Sequence, residues 1–378
     1  MFELTEEQRM VIETTERLAA EQFSSNAFEW GTEIPWENLE RLAEQGLLGL
    51  NLPEEYGGGG MSEIDVIFQL EKVCRICPDT AFALYTLSMV APRAIEMFGS
   101  EEAKEKYLPR VTSAEGLIAI CISEPEAGSD VKGMSTHVEE DADGELYLNG
   151  EKIWVTDAHT ADAGVVWTKF PDGTLGTVII EFDDPGVEIS ENYTNMADGI
   201  QSHFFMNDVH IPEENVLVRG PEAFKQQLNA LNWERCGNAM MANATSLCAF
   251  DKALEYAQQR EQFGQPISEF QGIQWKLADM AKQIQAGRTL TYQAVRDADR
   301  RGEPPDRLSS SLAALYCSEH GERIVSEALQ IFGANGYQQG HPLEYLYRLA
   351  RGRRIGAGTD ETQKNGIARE ILRRGGLE

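Results

Sequence analysis

The chain has 378 residues, enough for two or three packed units, and its 62 acids against 33 bases give a formal charge of −29. That surplus excludes non-specific attachment to nucleic acid or to an anionic membrane, both of which repel such a surface. Only 11 of the 33 bases are lysines, and an acid-rich, lysine-poor exterior is what high salt keeps soluble, so a halophilic source is expected. Hydrophobic residues at 42% and aromatics at 8% describe an ordinary globular core. The start, Met1-Phe2-Glu3-Leu4-Thr5, lacks the basic flank and apolar run of a secretion signal, and no stretch reaches the roughly 18 apolar residues of a membrane span. Six cysteines in so long a chain do not suggest a disulfide scaffold, and the sequence reads as cytoplasmic.

Three segments follow one another. Residues 1–115 read as a helical domain: Thr5 and Gln8 form a capping-box signature, and Trp36, Leu39, Leu42, Leu47 and Leu48 mark an apolar helical face ended by Pro53. The run Gly57-Gly58-Gly59-Gly60 lacks the context of a phosphate loop and reads as a connection between helices. Residues 116–220 change texture. Leu117–Ile122 is a buried strand, and the apolar triplets 146–148, 153–155, 165–167 and 178–180 are punctuated by Asp143-Gly144, Asn149-Gly150 and Asp172-Gly173. This predicts a middle antiparallel β barrel or sandwich. Residues 221–378 return to helical periodicity over 222–258, 273–298 and 308–332. The fold class is α+β multidomain.

Cys74 and Cys77 form a lone CxxC in an apolar helix, and the six histidines show no ligand spacing, so no metal site is expected. No GxSxG elbow is present. Ser123-Glu124-Pro125-Glu126-Ala127-Gly128-Ser129-Asp130 leaves a buried strand, where small residues let backbone N–H groups approach a ligand; an ordinary turn fits equally well. A Glu234-Arg235 pair on a helix is, in isolation, a solvated face.

Ile120–Pro125 with Ala127–Asp130 resembles the first signature of the acyl-CoA dehydrogenase flavoproteins, and Asn149–Thr156 is similar to their flavin-facing strand. Arg260-Glu261-Gln262-Phe263-Gly264 with Glu269-Phe270-Gln271, Gln330–Tyr337 and Gly358-Thr359-Asp360-Glu361 resemble further family motifs, all in family order. The resemblance implies an N-terminal helical domain, a middle β domain and a C-terminal four-helix bundle with FAD as cofactor. It implies that Ile122, Ser123, Trp154 and Thr156 meet the isoalloxazine, and that Ser129 lies on the pyrophosphate or the CoA chain. Arg260, Phe263, Gln271, Gln330 and Ala334 would hold the ADP half of an FAD, commonly a neighbouring subunit's, with Thr359 and Glu361 near the phosphates and ribose. Ala334 replaces the family's usual glycine, a departure because alanine prefers negative φ.

The implied reaction removes a proton from the α carbon of an acyl-CoA and a hydride from its β carbon, as in fatty acid β-oxidation. Most members keep the base just before the Gly-Thr of the last signature, where this chain has Ala357. The isovaleryl- and long-chain-type branch keeps it on an earlier helix before an arginine, where this chain has Glu234 and Arg235. Glu234 is therefore the expected base. The resemblance places Arg235 at the substrate and Phe82, Leu84, Tyr85, Met89, Val90 and Arg93 on the pocket floor, whereas helical periodicity alone makes most of the latter core. Arg93 could meet an acidic acyl tail, but a surface or interface role is the reading favoured for it. An electron-transfer flavoprotein is the implied partner, and a homo-oligomer, a tetramer built as a dimer of dimers, the implied assembly. A desulfinase or enoyl-CoA reductase on the same scaffold, and a binding protein that has lost its flavin, remain as other readings. Residues 344–378 hold 8 bases to 5 acids, a basic segment suited to phosphate-bearing ligands.

Overall fold

The structure, a computed structural model, describes residues 4–377; residues 1–3 of the leading segment and Glu378 lie outside them. In chain order the helices α1 (Glu6–Leu18), α2 (Trp36–Glu44), α3 (Glu63–Cys74), α4 (Pro78–Met89), α5 (Ala91–Phe98) and α6 (Glu101–Thr112) come first. Strands β1 (Ile118–Cys121), β2 (His137–Glu140), β3 (Leu146–Thr156), β4 (Ala163–Lys169), β5 (Leu175–Glu181), β6 (Val187–Thr194), β7 (Ile200–Ile211) and β8 (Val216–Val218) follow. The remainder is α7 (Ala223–Gln259), a short hairpin of β9 (Glu261–Gln262) and β10 (Gln265–Pro266), then α8 (Gln271–Arg301), α9 (Arg307–Phe332), α10 (Pro342–Gly352) and α11 (Asp360–Arg374). Two compact units result. A helical unit takes the residues up to Trp30, Glu63–Phe82 and those from Asn232 on; a sheet-containing unit takes Gly31–Ser62 and Ala83–Leu231.

In the helical unit, Thr5 caps α1 as its spacing predicts: its Oγ1 accepts from the Gln8 N–H at 3.1 Å, and Gln8 Oε1 accepts from the Thr5 N–H at 3.1 Å. The core joins Cys248, Ala253 and Ala257 of α7 to Met280 and Ile284 of α8, Ile324, Val325 and Ile331 of α9, and Leu343 and Leu346 of α10. A second cluster of Ala239, Ala242, Ala313, Ala314 and Cys317 brings α7 and α9 together on small side chains.

The sheet of the other unit runs β6-β7-β3-β2-β4-β5-β8, with β1 also on β4. Pairing is mainly antiparallel, but β1 and β4 run parallel, and so does the single residue pair that β2 shares with β4. The turn dipeptides predict antiparallel hairpins; β1 and β4 are not joined by one, so nothing local imposes that direction. The glycine run lies in a loop that folds back on its own start, where a Cβ on Gly58 would stand 2.2 Å from the Leu52 carbonyl oxygen. It serves chain reversal.

The sequence reading is corrected at Asn149-Gly150, a predicted turn. One eleven-residue strand, β3, runs straight through it, with a register shift against β7 between Leu148 and Gly150. Gly150 takes φ +143°, and a Cβ there would stand 2.6–2.9 Å from Thr136. Two requirements meet at this glycine, a backbone conformation closed to L side chains and a close approach by the residue leading into β2, and both look like turn chemistry in a sequence. Strand β6 has no counterpart in the sequence reading, because its residues are mostly exposed or half-buried and give no apolar alternation.

Gly150→Ala should therefore lower stability by about 2 kcal/mol or more, combining left-handed strain with a clash against backbone. A melting temperature within a degree of the parent chain would contradict this account.

Candidate functional site

In the sheet-containing unit the first signature forms a turn that leaves β1 and is pinned from several sides. Lys152 of β3 has no solvent-exposed side-chain surface; its Nζ donates to Glu124 Oε1 at 2.8 Å and to the Ile122 carbonyl at 3.1 Å. The Glu124 carboxylate also accepts from Ser135 N–H, from Ser135 Oγ at 2.7 Å and from Thr136 N–H at 3.0 Å. Burial opposes the Glu124 charge, but Lys152 and these donors outweigh it and hold the carboxyl down at about 2. Burial likewise lowers the Lys152 ammonium, against the pull of Glu124.

Ser123 is half-buried on this turn, with its carbonyl accepting from the Ile153 N–H at 2.9 Å. Ile122 packs on the cluster around Trp167, Ala127 and Met134. Ser129 is exposed further along the loop. Trp154 stands on the same strand as Lys152 at φ +60°, half-exposed, with its ring centroid 4.9 Å from that of Tyr193. That φ belongs to the irregular pairing between Lys152 and Val155, which lets successive residues 152 and 153 be buried and 154 face out. Thr156 ends β3 opposite Gln201 and is half-buried. Arg93 of α5 is ion-paired with Glu96 one turn on, so its charge is engaged on its own helix.

The helical unit holds the second set. Glu234 lies on α7 with its Oε2 out of contact with solvent, although the residue as a whole is only partly buried. Burial pushes its carboxyl up to about 7, against the neighbouring Arg235 guanidinium, which pulls it down. Arg235 is buried, and its Nη1 donates to Asn232 Oδ1; the same oxygen accepts from Ser310 Oγ at 3.3 Å, while Asn232 Nδ2 donates to the Pro305 carbonyl at 2.8 Å. A buried guanidinium thus rests on a neutral amide, leaving its positive charge to act on Glu234. This pair is no solvated face.

One turn along α7 from Glu234, on the same face, Asn238 Nδ2 donates to the Arg353 carbonyl at 3.3 Å, and Arg353 Nη1 donates back to Asn238 Oδ1 at 3.4 Å. The Arg353 guanidinium lies 4.8 Å from the centre of the Phe82 ring. These contacts tie the start of the 353–359 loop to α7. Ala357 in that loop adopts φ +56°, and its carbonyl accepts from Gln363 Nε2 at 3.1 Å. Ala334, by contrast, sits in a 3-10 turn with negative φ, and the left-handed position falls on Gly333. The replacement of glycine at 334 therefore costs nothing there.

Arg260, Phe263, Gln271, Gln330 and Ala334 are all exposed at one end of the bundle, where the Tyr256 ring stacks on Phe332 at 4.0 Å and Tyr256 Oη accepts from Asn335 Nδ2. Phe263 is 95% exposed and at φ +55°, with the Phe270 ring edge-on at 6.0 Å. Thr359 and Glu361 are elsewhere. Thr359 caps α11, and the next residue, Asp360, accepts from Ser318 Oγ at 2.7 Å, twelve residues before Gln330 on α9, or about 18 Å along the helix. The predicted cofactor-binding residues of this unit therefore fall into two separate sets. The basic C-terminal segment is largely spent on ion pairs: Arg354 with Glu322 and Asp360, Lys364 with Glu319, and Arg374 with Glu370 and Asp306. It is not a bare cationic surface. The supporting roles of Lys152, Asn232, Asn238 and Arg353 are not written in local pattern; a lysine inside an apolar strand is the one signal the sequence offers for them.

Comparison with known proteins covers nearly the whole chain. The family models for the acyl-CoA dehydrogenase N-terminal, middle and C-terminal domains match residues 5–115, 119–209 and 224–372. A probable acyl-CoA dehydrogenase, YngJ, of Bacillus subtilis is 34% identical over 98% of this chain and 100% of its own length. A 3-sulfinopropanoyl-CoA desulfinase of Paraburkholderia xenovorans is 33% identical over 98% of this chain and 97% of its own. An acyl-CoA dehydrogenase from Bacillus anthracis, solved as a complex with FAD, superposes with a TM-score of 0.90 at 29% identity, over 99% of this chain and 68% of that one.

The Glu234 carboxyl makes stability depend on pH in a defined direction. Its proton is held to about 7 in the fold but is lost near 4.5 in the unfolded chain, so folding loses stability as pH rises through that window. Glu234→Gln should melt together with the parent at pH 4, then increasingly above it up to pH 7, with the gap level beyond. Parallel melting curves at all pH values would refute the buried placement.

Proposed function

The chain belongs to the acyl-CoA dehydrogenase family, and on that premise we propose that it is an FAD-dependent dehydrogenase converting an acyl-CoA to its trans-2-enoyl-CoA. When bound, FAD would supply a two-electron acceptor for the β hydride. The residues present fit it: a rigid turn that offers Ser123, an aromatic ring at Trp154 and a hydroxyl at Thr156. Ser129 would meet the pyrophosphate or the CoA chain.

Glu234 is the α-proton base, and its environment carries that assignment. A carboxyl held near neutral pH is strong enough to take a proton from carbon acidified by a thioester, yet ionised in a useful fraction at pH 7. Arg235 keeps that fraction up by favouring the charged form, and Asn232 holds Arg235 in place without neutralising it. Ala357 offers no side-chain proton acceptor, so the position most family members use for the base cannot supply one here. This arrangement supports the isovaleryl- and long-chain-type branch. The two separated sets, Arg260, Phe263, Gln271, Gln330 and Ala334 at one end of the bundle and Thr359 with Glu361 at the α11 cap, fit two different FAD molecules in a homo-oligomer, a dimer of dimers. Electrons would leave to an electron-transfer flavoprotein. The acidic surplus supports a halophilic source.

A second reading is favoured by the likeness to a 3-sulfinopropanoyl-CoA desulfinase over nearly full length. A desulfinase breaks a carbon–sulfur bond without net oxidation of the acyl chain; enoyl-CoA reduction would run the hydride the other way. The retained, perturbed Glu234 favours oxidation.

Anaerobic mixing of the FAD-loaded protein with saturated acyl-CoAs should bleach the flavin, and Glu234→Gln should slow that bleaching by about 10³-fold or more while leaving FAD bound. Release of sulfite from a sulfinate thioester without bleaching would instead establish the desulfinase. The kcat/KM of the parent should fall as pH drops below about 7, the acid limb of Glu234. Asn232→Asp, which would neutralise Arg235, should move that limb to higher pH; an unmoved limb would remove Arg235 from the mechanism.

A further inference from the structure

We propose that Lys152, paired with Glu124, is a positioning residue for the flavin: by capturing the Ile122 carbonyl it turns the Ser123 N–H outward as a donor to the polar edge of the isoalloxazine. This rests on the FAD reading above.

The argument begins with the peptide bond. No peptide in the described residues is cis, so the Ile122 carbonyl and the Ser123 N–H point in opposite directions. The carbonyl is fixed inward by the buried ammonium at 3.1 Å, which fixes the N–H on the opposite side. The neighbouring groups are fixed too: Ser123 O by Ile153 N–H at 2.9 Å, Glu124 N by Ala127 O at 3.0 Å and Ala127 N by Glu124 O at 3.1 Å. Among the described residues the Ser123 N–H and Oγ have no hydrogen-bond partner, while Ser123 itself is half-buried. A donor left unused at the end of an immobilised turn suits an external acceptor.

The same turn needs its charge pair complete. Lys152 alone would be a buried cation and Glu124 alone a buried anion, each costly, whereas together they add little net field at the flavin. Lys152 therefore acts through the Ser123 peptide rather than through its own charge. Reduction places negative charge on the flavin ring, and a preset donor favours that form. The Ser123 N–H should accordingly raise both FAD affinity and the flavin midpoint potential.

Lys152→Met alone strands a buried carboxylate and is expected to fold poorly, so the test uses the double variant Lys152→Met with Glu124→Gln. The amide introduced by Glu124→Gln keeps an acceptor for the Thr136 N–H and can donate to Ser135 Oγ, though the Ser135 N–H loses its acceptor, and the thioether introduced by Lys152→Met fills the lysine's volume. The expected result is an apoprotein that still folds cooperatively, melting below the parent, with FAD affinity reduced about tenfold in a flavin titration and a lowered midpoint potential. Unchanged affinity and potential in a stable double variant would reduce Lys152 to a purely structural role and overturn the inference. Should that variant not fold, ¹⁵N-serine labelling of the parent decides: the Ser123 amide proton should move downfield on adding FAD, and an unmoved resonance overturns the inference. If the parent itself takes up no FAD, the proposed function fails, and this inference with it.

Discussion

Taking the Lys152 ammonium out of water costs several kcal/mol unless a carboxylate and further acceptors are held within hydrogen-bond range. The middle of the chain is arranged around that requirement. Glu124 must come under β3, so the turn leaving β1 folds back beneath the strand; Ser135 and Thr136 then complete the carboxylate's partners, which brings the start of β2 against Gly150. Gly150 can have no side chain because Thr136 stands where one would be. One buried ion pair thus accounts for the path of the first signature, the conformation of a glycine and the continuity of the longest early strand.

The helical unit meets the same constraint with a different outcome. Arg235 is buried against a neutral amide, and Arg353 is buried over an aromatic ring and beside Asn238. The Asn232 amide holds the Arg235 guanidinium without cancelling its charge, so that charge persists beside Glu234. Desolvation raises the Glu234 carboxyl and Arg235 restrains that rise; the balance near neutrality is the product of two opposed effects on adjacent residues of one helix. A solvated Glu-Arg pair, the ordinary meaning of that dipeptide, would show neither.

The surface acidity is of another kind. Acids on α9, with partners elsewhere in the helical unit, take up most of the basic C-terminal segment in exposed or half-exposed ion pairs. Such pairs contribute little individually, and their effect here is to hold the loop before α11 and the helix that follows it rather than to attract anions. The basic C-terminal segment is therefore not a free cationic surface, and Thr359 at the α11 N-terminus is engaged in capping that helix.

By itself the sequence determined the helix–sheet–helix order, the long helices from residue 222 on, the Thr5 cap, and, through its signatures, the family, together with an alanine at 357 and a glutamate at 234. Periodicity and caps are local physics, and local physics is written in neighbouring residues. The exposed β6, the parallel pairing of β1 with β4 and the strand running through Asn149-Gly150 depend on partners distant in sequence, and no pattern within a window reports them. The same holds for chemistry. That Glu234 is a near-neutral acid, that Asn232 supports Arg235, and that Lys152 fixes the Ile122 carbonyl were decided only by tertiary structure, because burial and the identity of facing groups set the free energy of a charge, and neither is a property of the residue that bears it.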